Sequence, residues 1–363
     1  MFKKFGALLI ILLLSLAMVF QVGCSSKEET GKSETKPETK TEGKADEKSS
    51  PQVLALGTHG VGSIVNAMGS GISTVLSREL GTEVKTVALS GPSEWMPMMV
   101  SEEMDMGMCN SWDSQMGYLG KSAYDKISGG KGFPVRLITS GHKSASGFMT
   151  TADSGIKTAA DLKGKRFVGS YTGSAGQTTL SQAGLANMGL TEKDVKMVSV
   201  PSVGDGIKAL MEGRADVAGT AAIGMGIIKE LDAGKGARFI SLDPSPEAVK
   251  RMQEFFPAKA VKVSASKDKT GVVEDTYLME YEFYLLGRES LSEDVVYNVV
   301  KALWEKNSDL GAINKNLLDW TPENFIVDNF TVPYHPGAIK LYKEKGVWNS
   351  ELDKRQQELL AAK

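Results

Sequence analysis

One order of segments occurs twice in this chain, and it limits the fold more than any other feature. Each copy has three apolar segments that alternate with helix-like stretches. The first copy begins its segments at Val53, Val84 and Met104. The second begins them 113, 111 and 111 residues later, at Arg166, Val195 and Ala215. Strands that alternate with helices predict mainly parallel sheets with right-handed crossovers. Two matched copies predict two α/β lobes, although a single larger doubly wound sheet would show the same order.

The loops at 58–63 and 170–176 lie at matched positions, each between the first strand and the first helix of a copy. Both are rich in glycine and in small hydroxylated residues. Ligands of open α/β sheets bind beyond the carboxyl ends of the strands. A helix amino terminus there has about half a positive charge and favours anions. We therefore expect the two loops to face each other across a cleft and bind a small anion, although tight turns alone would also need glycine.

The amino terminus has the features of an export signal. Lys3 and Lys4 precede an apolar run over residues 5–20, and Gly23 is followed by Cys24. This pattern indicates a secretory signal. A cysteine after a small residue resembles the bacterial lipoprotein signal, although Gln21 stands where that pattern usually has an aliphatic residue. An uncleaved membrane anchor is the alternative.

We therefore expect residues 1–23 to be a lipoprotein signal peptide and Cys24 to be the lipidation site, with palmitate among its acyl chains. Residues 24–50 contain no Val, Ile, Leu, Met or aromatic residue. Such a segment buries too little apolar surface to fold, so it is expected to be a disordered tether.

Composition excludes several classes of protein. The 42 Lys and Arg against 44 Asp and Glu give a net charge of −2, so no basic excess is available for nucleic acid. Two cysteines and three scattered histidines exclude a disulfide-stapled fold and the common zinc motifs. We expect no metal and no cofactor. Cys109 is expected to be a small buried apolar residue.

Three segments together resemble the TAXI-family solute receptors of TRAP transporters. They are residues 152–166 (ADSGIKTAADLKGKR), 292–303 and 334–346, the last beginning Tyr-His-Pro-Gly-Ala. The similarity runs from about Val53 to Val347. It implies a two-lobed α/β type II periplasmic-binding-protein fold with a hinge and a ligand cleft between the lobes. Lobe 1 would comprise residues 51–152 and 263–363, and lobe 2 residues 153–262.

The resemblance also implies a function without bond chemistry. The protein would be an extracytoplasmic, lipid-anchored receptor with no catalytic residues. It would capture a small organic anion, either an organic acid or a glutamate-like amino acid, and pass it to the small and large membrane subunits of a TRAP permease.

Candidate ligand-binding residues lie where predicted strands end and helices begin. Trp112 is expected to cover the ligand, and Asp113 either accepts a hydrogen bond from it or caps the next helix. His142 and Lys143 could supply positive charge, and His335 is expected to be structural. The complete set is Thr58, His59, Ser63, Ser90, Gly91, Asn110, Ser111, Trp112, Asp113, Ser170, Thr172, Gly173, Ser174, Ala175, Gly176, Thr220 and Ala221.

An enzyme is the alternative class of function. Ser140-x-x-Lys143 and Lys269-Thr270-Gly271 resemble two motifs of penicillin-binding enzymes, which would make this an exported serine acyl-transfer enzyme. The middle Ser-x-Asn motif of those enzymes does not occur between them. A glycine pattern at 57–62 suggests a dinucleotide site, but the following strand ends without the acidic residue that binds a ribose.

Overall fold

The computed structural model describes residues 53–363. The expected signal peptide, the lipidation site at Cys24 and the tether at 24–50 lie outside the described residues. The strands are β1 Val53–Thr58, β2 Glu83–Ala88, β3 Met106–Asn110, β4 Val135–Thr151, β5 Arg166–Tyr171, β6 Lys196–Val200, β7 Val217–Ala222, β8 Ala237–Ile240, β9 Lys259–Val263 and β10 Thr276–Arg288.

The helices lie between these strands and in the carboxyl-terminal region. They are α1 Ile64–Leu80, α2 Pro92–Val100, α3 Ser111–Leu119, α4 Ala123–Ser128, α5 Ala175–Asn187, α6 Val203–Met211, α7 Gly226–Lys235, α8 Pro246–Gln253, α9 Glu293–Glu305, α10 Asn307–Ile313, α11 Pro336–Glu344 and α12 Ser350–Ala361.

The sheet contains two parallel groups of strands with the same order. β1 pairs in parallel with β2 and β3, and β5 pairs in parallel with β6 and β7. The orders β2-β1-β3 and β6-β5-β7 therefore correspond, as the internal repeat predicts. We call the part around β1–β3 the first half and the part around β5–β7 the second half. The predicted two-lobed α/β fold is confirmed.

Two long antiparallel strands join the halves, a feature that the repeat did not predict. β10 pairs with β3 and with β4, and β4 continues into the second half, where it pairs with β7 and β8. The path through the sheet is β2-β1-β3-β10-β4-β7-β5-β6, with β9 on β10. The predicted lobe boundaries fall at the end of β4 and within β9, and the limits of the two lobes stay a prediction.

Local signals in the sequence fix where the key helices begin. The Ser63 side chain accepts a hydrogen bond from the Asn66 N–H and caps α1, and Ser174 does the same for α5 through the Gln177 N–H. Each cap follows the carboxyl end of a central strand, so both helix starts lie at the edge where the halves meet.

The carboxyl-terminal helices pack on the first half. The Tyr342 hydroxyl donates to the Ile138 carbonyl at 2.7 Å, and His335 Nδ1 accepts from the Gly337 N–H at 3.2 Å, capping α11. The structural role expected for His335 agrees with this contact. Over residues 53–363, no helix combines the length and the apolar character needed to cross a bilayer.

Candidate functional site

A small buried cavity lies where the two halves meet. The start of α1 forms one wall, the end of β7 another, and the strands β4 and β10 a third. Its lining residues are His59, Ser63, Ile64, Val65, Ser146, Gln177, Val203, Thr220, Ala221, Ala222, Met225, Tyr281 and Phe283. The volume is about 20 Å³, which suits one water molecule and not an organic solute.

Two polar atoms of the lining have no hydrogen-bond partner. His59 Nε2 and Thr220 Oγ1 are both buried, and their residues are 2% and 1% exposed. A buried polar atom without a partner costs about 1–3 kcal/mol. Burial also lowers the pKa of His59 to about 4, so its imidazole is neutral at pH 7 and offers one donor and one acceptor. A solute that forms a hydrogen bond to each of these two atoms would recover that cost.

Side chains from the joining strands extend this polar lining. Tyr281 of β10 lies opposite Ser144 of β4 in the register. Its hydroxyl is 3.0 Å from Ser146 Oγ, which in turn is 3.2 Å from Ser144 Oγ. Burial raises the pKa of Tyr281, so the phenol keeps its proton and remains able to donate. The sequence analysis missed Ser146 and Tyr281 because strand order across the halves was unknown. It missed Gln177 because the candidate loop ended one residue earlier, at Gly176.

The predicted residues His59, Ser63, Thr220 and Ala221 do meet at this cavity. Thr58 lies just behind them: it is fully buried, and its Oγ1 accepts from Asn66 Nδ2 at 3.1 Å. The first loop thus contributes to the cavity as expected.

The second loop behaves differently, because the protein's own carboxylate occupies the start of α5. Asp113 accepts from the Gly176 N–H at 2.7 Å and from Ser174 Oγ at 2.8 Å. The expectation that both loops present free amides to a ligand is therefore wrong for loop 170–176. None of its residues lines the cavity. Asp113 caps a helix, as one alternative held, but that helix is α5 and not its own α3, which Asn110 caps.

Loop 170–176 also touches residues 90–93 of the first half, between β2 and the start of α2, directly. The Ser93 N–H of the first half donates to the Gly173 carbonyl of the second half at 3.2 Å. A Cβ on Gly91 would lie 2.3 Å from that carbonyl oxygen, and one on Gly173 would lie 2.3 Å from Ser90 Cβ. Only glycine permits this approach, and it leaves no space for a ligand between loop 170–176 and residues 90–93.

The remaining candidate residues lie outside the cavity lining. The Ser90 N–H donates to Glu94 Oε2, and Ser170 Oγ lies 3.2 Å from Ser199 Oγ. Thr172 is exposed, and Ala175 is half-buried. Ser111 lines a second cavity of about 330 Å³, which shares Tyr281 with the first.

Trp112 packs against the second half and not over the cavity. Its ring stacks on Phe256 with the centroids 6.2 Å apart, and Phe256 in turn contacts Tyr281. Trp112 therefore lies outside the cavity lining and is linked to Tyr281 only through Phe256, and its expected contact with a ligand stays a prediction.

The residues that suggested other chemistry do not come together. Ser140 is buried and Lys143 is exposed on the same strand, so they do not form the Ser–Lys pair of an acyl-transfer enzyme. Burial lowers the pKa of His142 to about 4, so this side chain does not supply the expected positive charge. Across residues 53–363, no three His, Cys, Asp or Glu side chains are grouped to hold a metal ion.

Comparison with known proteins places the chain in a family. The model of the NMT1-like family matches residues 56–346. Among solved structures, PhnD1 from Prochlorococcus marinus in complex with methylphosphonate is 12% identical. The match covers 82% of this chain and all of that one, with a TM-score of 0.48. The periplasmic aliphatic sulphonate binding protein SsuA from Escherichia coli is 14% identical over 85% of this chain and 86% of its own, with a TM-score of 0.40. The family match spans most of the sequence, and the chain belongs to the NMT1-like family.

Proposed function

We propose that this protein is an extracytoplasmic solute receptor that binds a small organic molecule between its two halves. The observation that carries the proposal is the buried cavity where the halves meet, with His59 Nε2 and Thr220 Oγ1 unpartnered. Each atom comes from a different half. The cavity of this structure is too small for such a molecule, so the solute-bound form is less tightly closed than this one. A solute that bonds to both atoms joins the two halves, so binding shifts the population toward that form.

The export signal and the TAXI resemblance support the rest of the proposal. Cys24 carries the lipid anchor, residues 24–50 tether the folded part, and the closed receptor delivers its solute to the small and large subunits of a TRAP-type permease. Lobe 1 comprises residues 51–152 and 263–363, and lobe 2 residues 153–262. The protein makes and breaks no bonds, and it is the permease that moves the solute across the membrane.

The ligand contacts that we propose extend the sequence-based set. Thr220 and His59 form the two new hydrogen bonds, and Ser63, Gln177 and Tyr281 complete the polar lining. The expectation of an organic anion rested on both loops, and the second no longer supports it, because the Gly176 N–H and the Ser174 hydroxyl at the start of α5 already bind Asp113.

The test begins with the solute that the protein carries. Native mass spectrometry of protein purified from its own cells identifies the bound molecule, and calorimetry measures its affinity. Thr220→Val removes the hydroxyl and keeps the shape. We expect it to weaken binding about 5- to 150-fold, the equivalent of about 1–3 kcal/mol.

Thr172→Val is the matched control, because Thr172 is exposed and lies outside the cavity. It should leave the affinity unchanged. Equal affinity of the wild type and Thr220→Val would contradict the proposed site. Cys24→Ser tests the anchor separately: the protein should lose acyl labelling and appear in the soluble fraction.

A further inference from the structure

Asp113 connects the two halves through a saturated set of hydrogen bonds. Its Oδ1 accepts from the Gly176 N–H and the Tyr124 hydroxyl, both at 2.7 Å. Its Oδ2 accepts from the Ser174 hydroxyl and from Asn110 Nδ2, both at 2.8 Å. The side chain begins on α3 of the first half, and it is fully buried.

The Gly176 N–H and Asn110 Nδ2 can only donate, so each carboxyl oxygen accepts at least one hydrogen bond. Burial raises the pKa of Asp113, and its four hydrogen bonds oppose that shift. The arrangement therefore fits the ionised carboxylate. Two of the donors belong to the start of α5, a helix of 13 residues, whose amino terminus favours a negative charge. The anion position of the second half is thus filled by the protein itself.

Asp113 lies next to the cavity wall, because it binds the N–H of Gly176 and the next residue, Gln177, lines the cavity. Burial is the main cause of the raised pKa of Tyr281, another lining residue, and the charge of Asp113 adds to it. The lining contains no Lys, Arg, Asp or Glu, and His59 is neutral at pH 7. An acidic solute would bring a second negative charge near Asp113, and the lining itself supplies no cation to compensate it, which is unfavourable at a buried site.

We propose that Asp113 is a specificity-determining residue: it occupies the anion position at the start of α5 and selects for an uncharged, hydrogen-bonding solute against a carboxylate. The inference rests on the proposed function of the cavity. The solute then forms its hydrogen bonds to neutral groups of the receptor, chiefly His59, Thr220 and Tyr281.

The test uses formate as the probe, because Asp113→Ala removes a group of formate's size. Thermal unfolding is measured for the full chain in sodium formate, sodium chloride and formamide. We expect formate to stabilise Asp113→Ala selectively, by about 3 °C at ten times its dissociation constant. The wild type and Asp113→Asn, whose side chains fill the space, should show no such rise.

Every outcome of this experiment decides the question. Equal formate effects on the wild type and Asp113→Ala, or no effect on either, overturn the proposal. If Asp113→Ala folds only in formate, the proposal is supported. If it stays unfolded in formate while Asp113→Asn folds, the proposal is overturned.

The co-purified solute provides the second arm. An uncharged molecule supports the inference, and a carboxylate that binds the wild type tightly overturns it. The formate measurement needs no solute, so its failure is separate from a failure of the receptor function, which Thr220→Val tests.

Discussion

Gly173→Ala should act on the closing of the two halves and on little else. A methyl group there would lie 2.3 Å from Ser90 Cβ and 2.6 Å from the Ser90 carbonyl carbon. Both atoms belong to the first half, whereas Gly173 belongs to the second. The clash therefore exists only while the halves are in contact.

The size of the effect follows from this geometry. Carbon atoms pack no closer than about 3.5 Å, so the halves must part by about 1 Å at this point. The hydrogen bond from the Ser93 N–H to the Gly173 carbonyl, 3.2 Å long, would be lost. Overpacking of this kind costs about 1–3 kcal/mol, or a change of about 5- to 150-fold in the closing equilibrium.

Hydrogen exchange at single amides measures this change. The Ser93 and Gly176 N–H groups bond across the halves, so both should exchange about 5- to 150-fold faster in Gly173→Ala. The Asp105 N–H bonds to the Ala55 carbonyl within the first half and should keep its rate.

Gly234→Ala is the matched control, because its Cβ would meet nothing within 4 Å and it lies within α7. It should leave the Ser93 and Gly176 amides unchanged. If these two amides also keep wild-type rates in Gly173→Ala, the contact of Gly173 with residues 90–93 does not hold the halves together, and the account of closing is refuted.

Three further predictions concern stability and reactivity. Burial lowers the pKa values of His59, His142 and His335 to about 4, so the folded state binds fewer protons than the unfolded state below pH 6.5. The free energy of unfolding, measured by urea titration, should be highest above pH 6.5. It should fall by about 3 kcal/mol per histidine as the pH is lowered to 4. His335→Asn keeps a capping side chain and should remove about a third of that loss; an unchanged pH dependence would contradict the assignment. Asp105→Ala should destabilise the fold by about 3 kcal/mol in urea unfolding, because Asp105 accepts from the Ala55 N–H at 2.9 Å and pairs with Arg288 at 3.1 Å. The exposed pair of Lys262 and Asp275 provides the control, and Asp275→Ala should cause no measurable change. Cys109 should not react with a thiol reagent until the protein unfolds, since it is fully buried and burial raises its thiol pKa well above the usual range. Fast labelling of the native protein would contradict this and show that this part of the core opens.

Much of the fold was determined by the sequence alone, because its signals are local. The matched orders β2-β1-β3 and β6-β5-β7 follow from the repeated segments, and the caps at Ser63 and Ser174 lie three residues from the amides that they bind. His59 and Thr220 were placed at the site for the same reason: each follows or ends a strand at the edge where ligands bind.

Tertiary structure alone decided which groups meet between the halves. Tyr281 lies beside Ser146 only because β10 crosses antiparallel to β4, and the two residues are 135 positions apart in the chain. Asp113 reaches the start of α5 only because the halves are closed, and nothing within three or four residues of it indicates that partner. Short-range patterns determine strands, helices and caps, whereas contacts between distant segments depend on how whole elements are arranged. The sequence therefore specified two similar halves. Only the contact between them showed that Asp113 of the first half occupies the start of α5 in the second half, where a ligand anion was expected.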